Sequence, residues 1–247
     1  ALCRENGCRL TLALAESGPG TFDPDSLRVE GRLPDGVFTG GELPAAVLEA
    51  LTGLSLPVLC IDYYSPLYPF YYVGLNNYYD GYRLTHHLIE RGHTRIGFIG
   101  HVRYAGTLTD KYFGYRKALL DFALPYNRLW HLNENFNTKA DYALHLPAQL
   151  RTAVICHCDL TAKKLYLALR FRKIRIPEQV SVVSFDDTEL SEELSPRLTS
   201  MGLPRVRFAA AAFELMERIF SQNQSPCALT LDCSIHERDS VALLRSE

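Results

Sequence analysis

Two adjacent carboxylates, Asp186 and Asp187, close a run of strand-forming residues, Val180, Val182, Val183 and Phe185, inside the stretch Ile176 to Pro204. An ionised carboxylate offers two acceptor oxygens, which suits it to hold the hydroxyls of a polar ligand. An apolar run of this kind reads as a buried parallel strand, and open parallel sheets bind ligands beyond the carboxyl ends of their strands. Asp186 therefore stands where a ligand is met; the alternative is a turn aspartate capping the following loop. Asp187, its neighbour, would point elsewhere and serve the structure. Cys156-His157-Cys158 contains metal-ligand residue types, but neighbours in an extended strand face opposite ways and no second ligand pair lies at useful spacing, so no metal site is expected. His86, His87 and His93 read as structural, His93 following the helix-ending Gly92. A nucleophile elbow and a phosphate loop are both missing, which argues against an enzyme and against a cofactor.

The bulk composition narrows the classes further. With 247 residues the chain is one large domain or two small ones, long enough to bury a sizeable core. A net charge of −2 provides no basic footprint, so any grip on nucleic acid must come from another segment. Seven cysteines, an odd number scattered partly through apolar runs, read as reduced, buried thiols of a cytoplasmic protein. The longest apolar runs fall far short of the ~20 residues that a membrane-spanning helix needs, and Ala1-Leu2-Cys3-Arg4 lacks the pattern of a secretory signal. No membrane partner is expected.

Periodicity then supplies the elements that must position the carboxylates. Ala1 to Asn6 reads as a helix tail capped at Gly7, followed by an alternating strand from Arg9 to Ala15. Ser26 to Glu30 reads as a short helix, Gly36 to Thr39 as a strand, Pro44 to Leu51 as a helix and Pro57 to Ile61 as a strand ending at Asp62. The tyrosine-rich stretch Tyr63 to Tyr82 is either a surface loop with a ring-packed strand or an aromatic wall for a flat ligand or partner. A second group follows: helix Tyr82 to Arg91, strand Arg95 to Gly100, helix Phe113 to Leu124, a helix near Lys139 to Leu146, strand Ala153 to Cys156 and a helix from Asp159, its N-cap, to about Arg172. Arg207 to Phe220 is an amphipathic helix and Leu229 to Ile235 a late strand. This alternation predicts two parallel sheets covered by helices, an α/β chain of two doubly wound halves.

Four blocks in this order resemble the effector-binding domain of the LacI/GalR family of transcription regulators. They are HHLIERGHTRIGFIG at 86 to 100, YFGYRKAL at 112 to 119, TAVICHCDLTAKKLYLALR at 152 to 170, and IPEQVSVVSFDDTELSEELSPRLTSM at 176 to 201. The resemblance implies a periplasmic-binding-protein-like fold of type I, with two α/β subdomains joined by three crossovers and the effector in the cleft. The crossovers are expected near Tyr72 to Asn76, Thr199 to Pro204 and Ser225 to Ala228. One subdomain would be 1–75 plus 204–226, the other 76–203 plus 227–247. The helix-turn-helix that reads DNA is absent from this sequence. So is the first strand of the first subdomain, which leads us to expect residues upstream of Ala1.

The resemblance also implies site residues. Asp186 matches the carboxylate that holds ligand hydroxyls. Lys111 lies where the family has an arginine clamp, and lysine keeps the charge but loses the planar fork; a solvated lysine before a helix is the alternative. Cys158 stands in place of the family's asparagine, and its thiol, a poor hydrogen-bonding partner, suggests an atypical ligand. Phe136 sits where an aromatic stacks on the ligand, Asp62 matches a first-subdomain carboxylate, and Asn76 adjoins a crossover; each of these three has a packing or turn alternative. The function implied is the ligand-sensing, homodimerising domain of a cytoplasmic repressor. It would bind a small effector such as a sugar and act on operator DNA through the missing segment. The rival is an extracytoplasmic sugar-binding protein of a transporter.

Overall fold

The computed structural model describes residues 2–13, 22–41, 43–65, 67–102, 105–132, 152–222 and 225–244. The chain divides into two compact units, Ala1–Leu75 with Pro204–Leu231 and Asn76–Leu203 with Asp232–Glu247. It thus passes from one to the other at 75/76, 203/204 and 231/232.

In the first unit, β1 (Val37–Gly40), β2 (Val58–Ile61), β3 (Tyr71–Leu75) and β9 (Ala228–Leu231) form a parallel sheet in that order among the described residues. Helix α2 (Ala45–Thr52) buries Val47 and Leu51 against Val58, with Phe22, Leu27, Leu54 and Phe70 packed around them. Helix α7 (Arg205–Gln222) brings Met216 and Phe220 so close to Gly36 that a methyl group there would lie 3.0 Å from the Met216 sulfur. The short helix α1 (Leu2–Glu5) ends at Gly7, with φ of +70°. Residues 9–13 are not a strand, and Leu10 and Leu12 are exposed. Alternation supplies the side chains of a strand but not the edge that must pair with it.

The second unit carries a six-stranded sheet in the order β10-β8-β7-β6-β4-β5. Its strands are β4 (Ile96–Ile99), β5 (His131–Leu132), β6 (Ala153–Cys156), β7 (Ser181–Asp186), β8 (Thr199–Gly202) and β10 (Ser234–His236). Every pairing is parallel except β10 with β8. β4, β6 and β8 are buried along their whole length, as strands covered on both faces must be. Helices α3 (Asn77–Glu90), α4 (Gly106–Asp121), α5 (Asp159–Phe171) and α6 (Glu189–Glu193) complete this unit among the described residues.

Several expected boundaries move. Thr199 to Gly202, expected within a crossover, is the buried strand β8, and the passage follows it. Thr-Ser-Met-Gly is too polar and small to read as a strand, yet its hydroxyls find partners inside. The third passage lies at 231/232 and not at 225 to 228, because Ala228–Leu231 pairs with β3 in the first unit, from Tyr72↔Ala228 to Leu75↔Leu231. The single late strand is therefore two, split at Asp232-Cys233 and shared between both sheets. The predicted helix near Lys139 to Leu146 lies outside the described residues.

Candidate functional site

The strand order of the second unit locates its crevice. From β4 the chain goes to β5 on one side and then to β6 on the other, so the connections diverge from the adjacent pair β4 and β6. A sheet of this kind meets ligands at the carboxyl ends of the strands beside that divergence. Gly100-His101 follow β4, His157-Cys158 follow β6, and Asp186 ends β7. At Gly100 a methyl group would lie 3.0 Å from the Cβ of His157, so the two strand ends approach closely there.

Asp186 has φ of +95° and Asp187 φ of +45°. Two successive non-glycine residues in this region are costly and persist only where surrounding bonds fix them. Those bonds converge on Asp159. Its carboxylate accepts from the Ser184 hydroxyl, from Ser200 Oγ at 2.8 Å, from the Thr188 amide at 2.6 Å and from Thr188 Oγ1 at 2.8 Å. The Asp187 amide donates to Ser200 Oγ at 3.1 Å. The sequence pattern makes Asp159 the cap of α5; the cap position is Cys158, and Asp159 instead clamps the turn that presents Asp186. Asp187 accepts from Arg238 Nη1 at 2.7 Å and from Ser191 Oγ at 2.9 Å. Burial pushes the Asp187 carboxyl up, but these bonds and the Arg238 charge outweigh it and hold the group below the usual carboxylate range. Asp187 thus has a structural task, while the Asp186 side chain is 43% exposed.

Lys111 is neither before a helix nor solvated: it lies within α4 and its side chain is 10% exposed. Its ammonium stands 3.7 Å from Asp186 Oδ1 and 4.6 Å from the centre of the Phe185 ring. A nearly buried cation requires such compensation, here a carboxylate and an aromatic face. The helix holding it is set by two glycines. A methyl group at Gly81 of α3 would lie 2.1 Å from the Lys111 carbonyl, and one at Gly114 of α4 would lie 1.9 Å from the Tyr78 carbonyl. The two backbones cross in contact, and that crossing fixes the depth of Lys111.

Cys158 Sγ is 3.4 Å from Thr161 Oγ1, and Thr161 Oγ1 is 3.2 Å from His157 Nδ1. Burial raises the thiol, but hydrogen bonding and charge from His157, with hydrogen bonds from Thr161, prevail and hold it below the ordinary thiol value. Asn76 caps α3, its Oδ1 accepting from the Tyr79 amide at 3.1 Å. Asp62 belongs to the first unit, just past β2, with φ of +57° and its amide donating to the Val73 carbonyl at 2.9 Å. Phe136 lies outside the described residues.

The structure therefore brings Asp186 and Lys111 together and places Cys158 at the neighbouring strand end. Sequence reasoning missed Asp159 as a clamp and His157 and Thr161 as partners of Cys158. The spacing of His157 and Thr161, one helical turn, is a legible signal for the second. Among the described residues there is no cluster of three or more His, Cys, Asp or Glu arranged for a metal, and no helix is long and apolar enough to cross a membrane.

Residues 85–241 match the periplasmic binding protein-like domain family. Over 172 residues the chain is 34% identical to the HTH-type transcriptional repressor PurR of Vibrio cholerae serotype O1 (strain M66-2), covering 67% of this chain and 51% of that protein. The chain thus spans about half the length of this curated relative. The crystal structure of a transcription regulator from Lactobacillus plantarum superposes with a TM-score of 0.78 at 21% identity, over 86% of this chain and 83% of that one. A complex of the transcriptional regulator CelR with cellobiose gives 0.75 at 25% identity, over 85% and 67%.

Proposed function

The chain belongs to the periplasmic-binding-protein-like domain family, as an effector-binding domain of LacI/GalR type, and from this premise we propose that it senses a small polar effector of the sugar class. In the whole protein, acting in the cytoplasm as a homodimer, this sensing controls operator binding through a helix-turn-helix segment that these 247 residues do not include. The reading is carried by one observation: the half-exposed Asp186 beside a nearly buried Lys111, at the carboxyl edge of a parallel sheet. The carboxylate accepts two ligand hydroxyls and the ammonium donates to a third oxygen. The relative named in complex with cellobiose supports a sugar, and the repressor names of the relatives favour a regulator over a transporter's binding protein.

Calorimetric titration with cellobiose and with ribose tests this reading. Saturable binding of one of them is expected. Asp186→Ala, by removing two charge-assisted hydrogen bonds worth about 1.5–3 kcal/mol each, should weaken it by at least roughly 100-fold. A chain that binds neither sugar, or an Asp186→Ala variant that binds as well as the parent, would overturn it.

A further inference from the structure

Asp186 presents its carboxylate from a backbone that glycine adopts freely and aspartate does not, with φ of +95°. Glycine here would remove the strain and the carboxylate together. The chain keeps the carboxylate, so other groups must hold the strained backbone, and the peptides on either side of Asp187 show which. The Asp187 amide donates to Ser200 Oγ at 3.1 Å, and the Thr188 amide donates to Asp159 Oδ2 at 2.6 Å. Ser200 gives its own proton to Asp159 Oδ1 at 2.8 Å, so it meets the Asp187 amide as an acceptor. The serine is therefore a relay: it extends the hold of Asp159 to a peptide that the carboxylate does not itself bind. Thr188 Oγ1 adds a bond to Asp159 Oδ2 at 2.8 Å. Asp159 is 1% exposed and Ser200 is 0% exposed, too deep to touch an effector.

We infer that Asp159, through Ser200 and Thr188, is a positioning residue for Asp186, setting effector affinity by fixing the direction of a carboxylate it does not contact. The inference rests on the reading that Asp186 holds effector hydroxyls. Topology makes the arrangement possible. β7 lies between β6 and β8, with Ser184 in register with Ser200, and Asp159 opens α5 just past the end of β6. Asp159 thus reaches from one neighbour of β7 to the other, taking the Ser184 hydroxyl on the way. The far end of the turn is anchored separately, by Arg238 and Ser191 on the Asp187 carboxylate. What the network decides is therefore the backbone at Asp186. Removing the relay leaves the Asp187 amide without its acceptor. The turn then relaxes toward the negative φ that aspartate prefers, and the carboxylate moves with it.

Ser200→Ala tests this by deleting the relay. Calorimetric titration with cellobiose and with ribose should show binding about 10-fold weaker than the parent's for the sugar that the parent binds. Thr188→Val, which loses the hydroxyl, should weaken it about 3-fold, and Thr188→Ser, which keeps it, should recover that loss. An arm free of ligand separates this inference from the sugar reading. Asp186→Gly removes the strained residue, so the network has no strain left to hold. In urea unfolding, Ser200→Ala should lower the midpoint of the parent, and lower it by about half as much or less in the Asp186→Gly background. A serine that only supported the fold would cost the same in both. If neither sugar binds the parent, the sugar reading fails, and the smaller midpoint loss beside Asp186→Gly still supports the positioning role. Equal midpoint losses in the two backgrounds, or an undiminished sugar affinity in Ser200→Ala, overturn it. Should Ser200→Ala fail to fold, Thr188→Val takes its place in both arms and the same outcomes decide.

Discussion

At the scale of single residues, a side chain is legible where its strand ends and illegible where its partners lie far along the chain. Asp186 can be placed from the apolar run before it, because sheet geometry alone fixes what a strand-end carboxylate faces. Asp159 has the local signature of a helix cap, since aspartate before an apolar run usually is one; its bonds to Ser184, Thr188 and Ser200 come from strands and turns that no local pattern reveals. Cys158 reads in sequence as a weak hydrogen-bonding substitute, and its environment makes it something more reactive. His157 and Thr161 stabilise the thiolate against the effect of burial, whereas burial raises the thiols of Cys60 and Cys233. Alkylation by iodoacetamide at pH 7, followed by peptide mass spectrometry, should therefore label Cys158 ahead of both. The midpoint of its rate against pH should fall below the roughly 8.5 of a free thiol. His157→Ala should shift that midpoint upward, and an unchanged profile would remove the imidazole from the account.

At the scale of elements, the strands and helices of the second unit are readable because buried parallel strands carry dense β-branched runs and their helices show a periodic stripe. Their starts are not. Helix α4 begins at Gly106, well before the predicted Phe113, and α3 begins at Asn77, before the predicted Tyr82. Both early turns hold Gly, Asn, Asp or Thr, poor helix formers on which propensity places no helix. They are helical because they pack on each other through Gly81 and Gly114, a tertiary cause invisible to a local reading. The two accounts predict opposite signs for glycine replacement. By propensity, Gly81→Ala or Gly114→Ala should stabilise an α-helix by about 1 kcal/mol. With backbone atoms 2.1 and 1.9 Å from the added methyl group, each should instead destabilise, by about 2 kcal/mol or more. Urea unfolding of the two variants decides between them, and Gly81→Ala should also weaken effector binding because the contact it disturbs carries Lys111.

At the scale of the whole molecule, α3 is held to the C-terminal segment by groups that keep their places only while two histidines stay neutral. Arg91 donates from Nη1 to His87 Nδ1 at 3.0 Å, and since a guanidinium has no acceptor, that ring nitrogen must carry the lone pair. Arg91 also pairs with Glu237, beyond β10. His93, 1% exposed, places Nε2 3.1 Å from the Ala242 carbonyl, so that nitrogen donates and Nδ1 is bare in the neutral ring. Burial depresses both histidines below their ordinary value, Arg91 adding to the effect on each while Glu237 opposes it at His87 and the Ala242 carbonyl at His93. With the folded pKa below the unfolded one, near 6.5, the unfolded chain binds more protons in the interval between them. The stabilisation is complete above pH 6.5 and is lost as pH falls through that value toward the folded pKa. Asp80, raised by burial, works in the opposite sense, gaining from acid, but from the carboxylate range upward. Stability from urea unfolding should therefore fall between pH 7.5 and 5.5. His93→Gln keeps a donor for the Ala242 carbonyl without a titrating ring. Its unfolding free energy should change less over that interval than the parent's, with an unchanged effector affinity at pH 7.5. A variant whose stability falls as steeply as the parent's would assign the acid sensitivity to other groups.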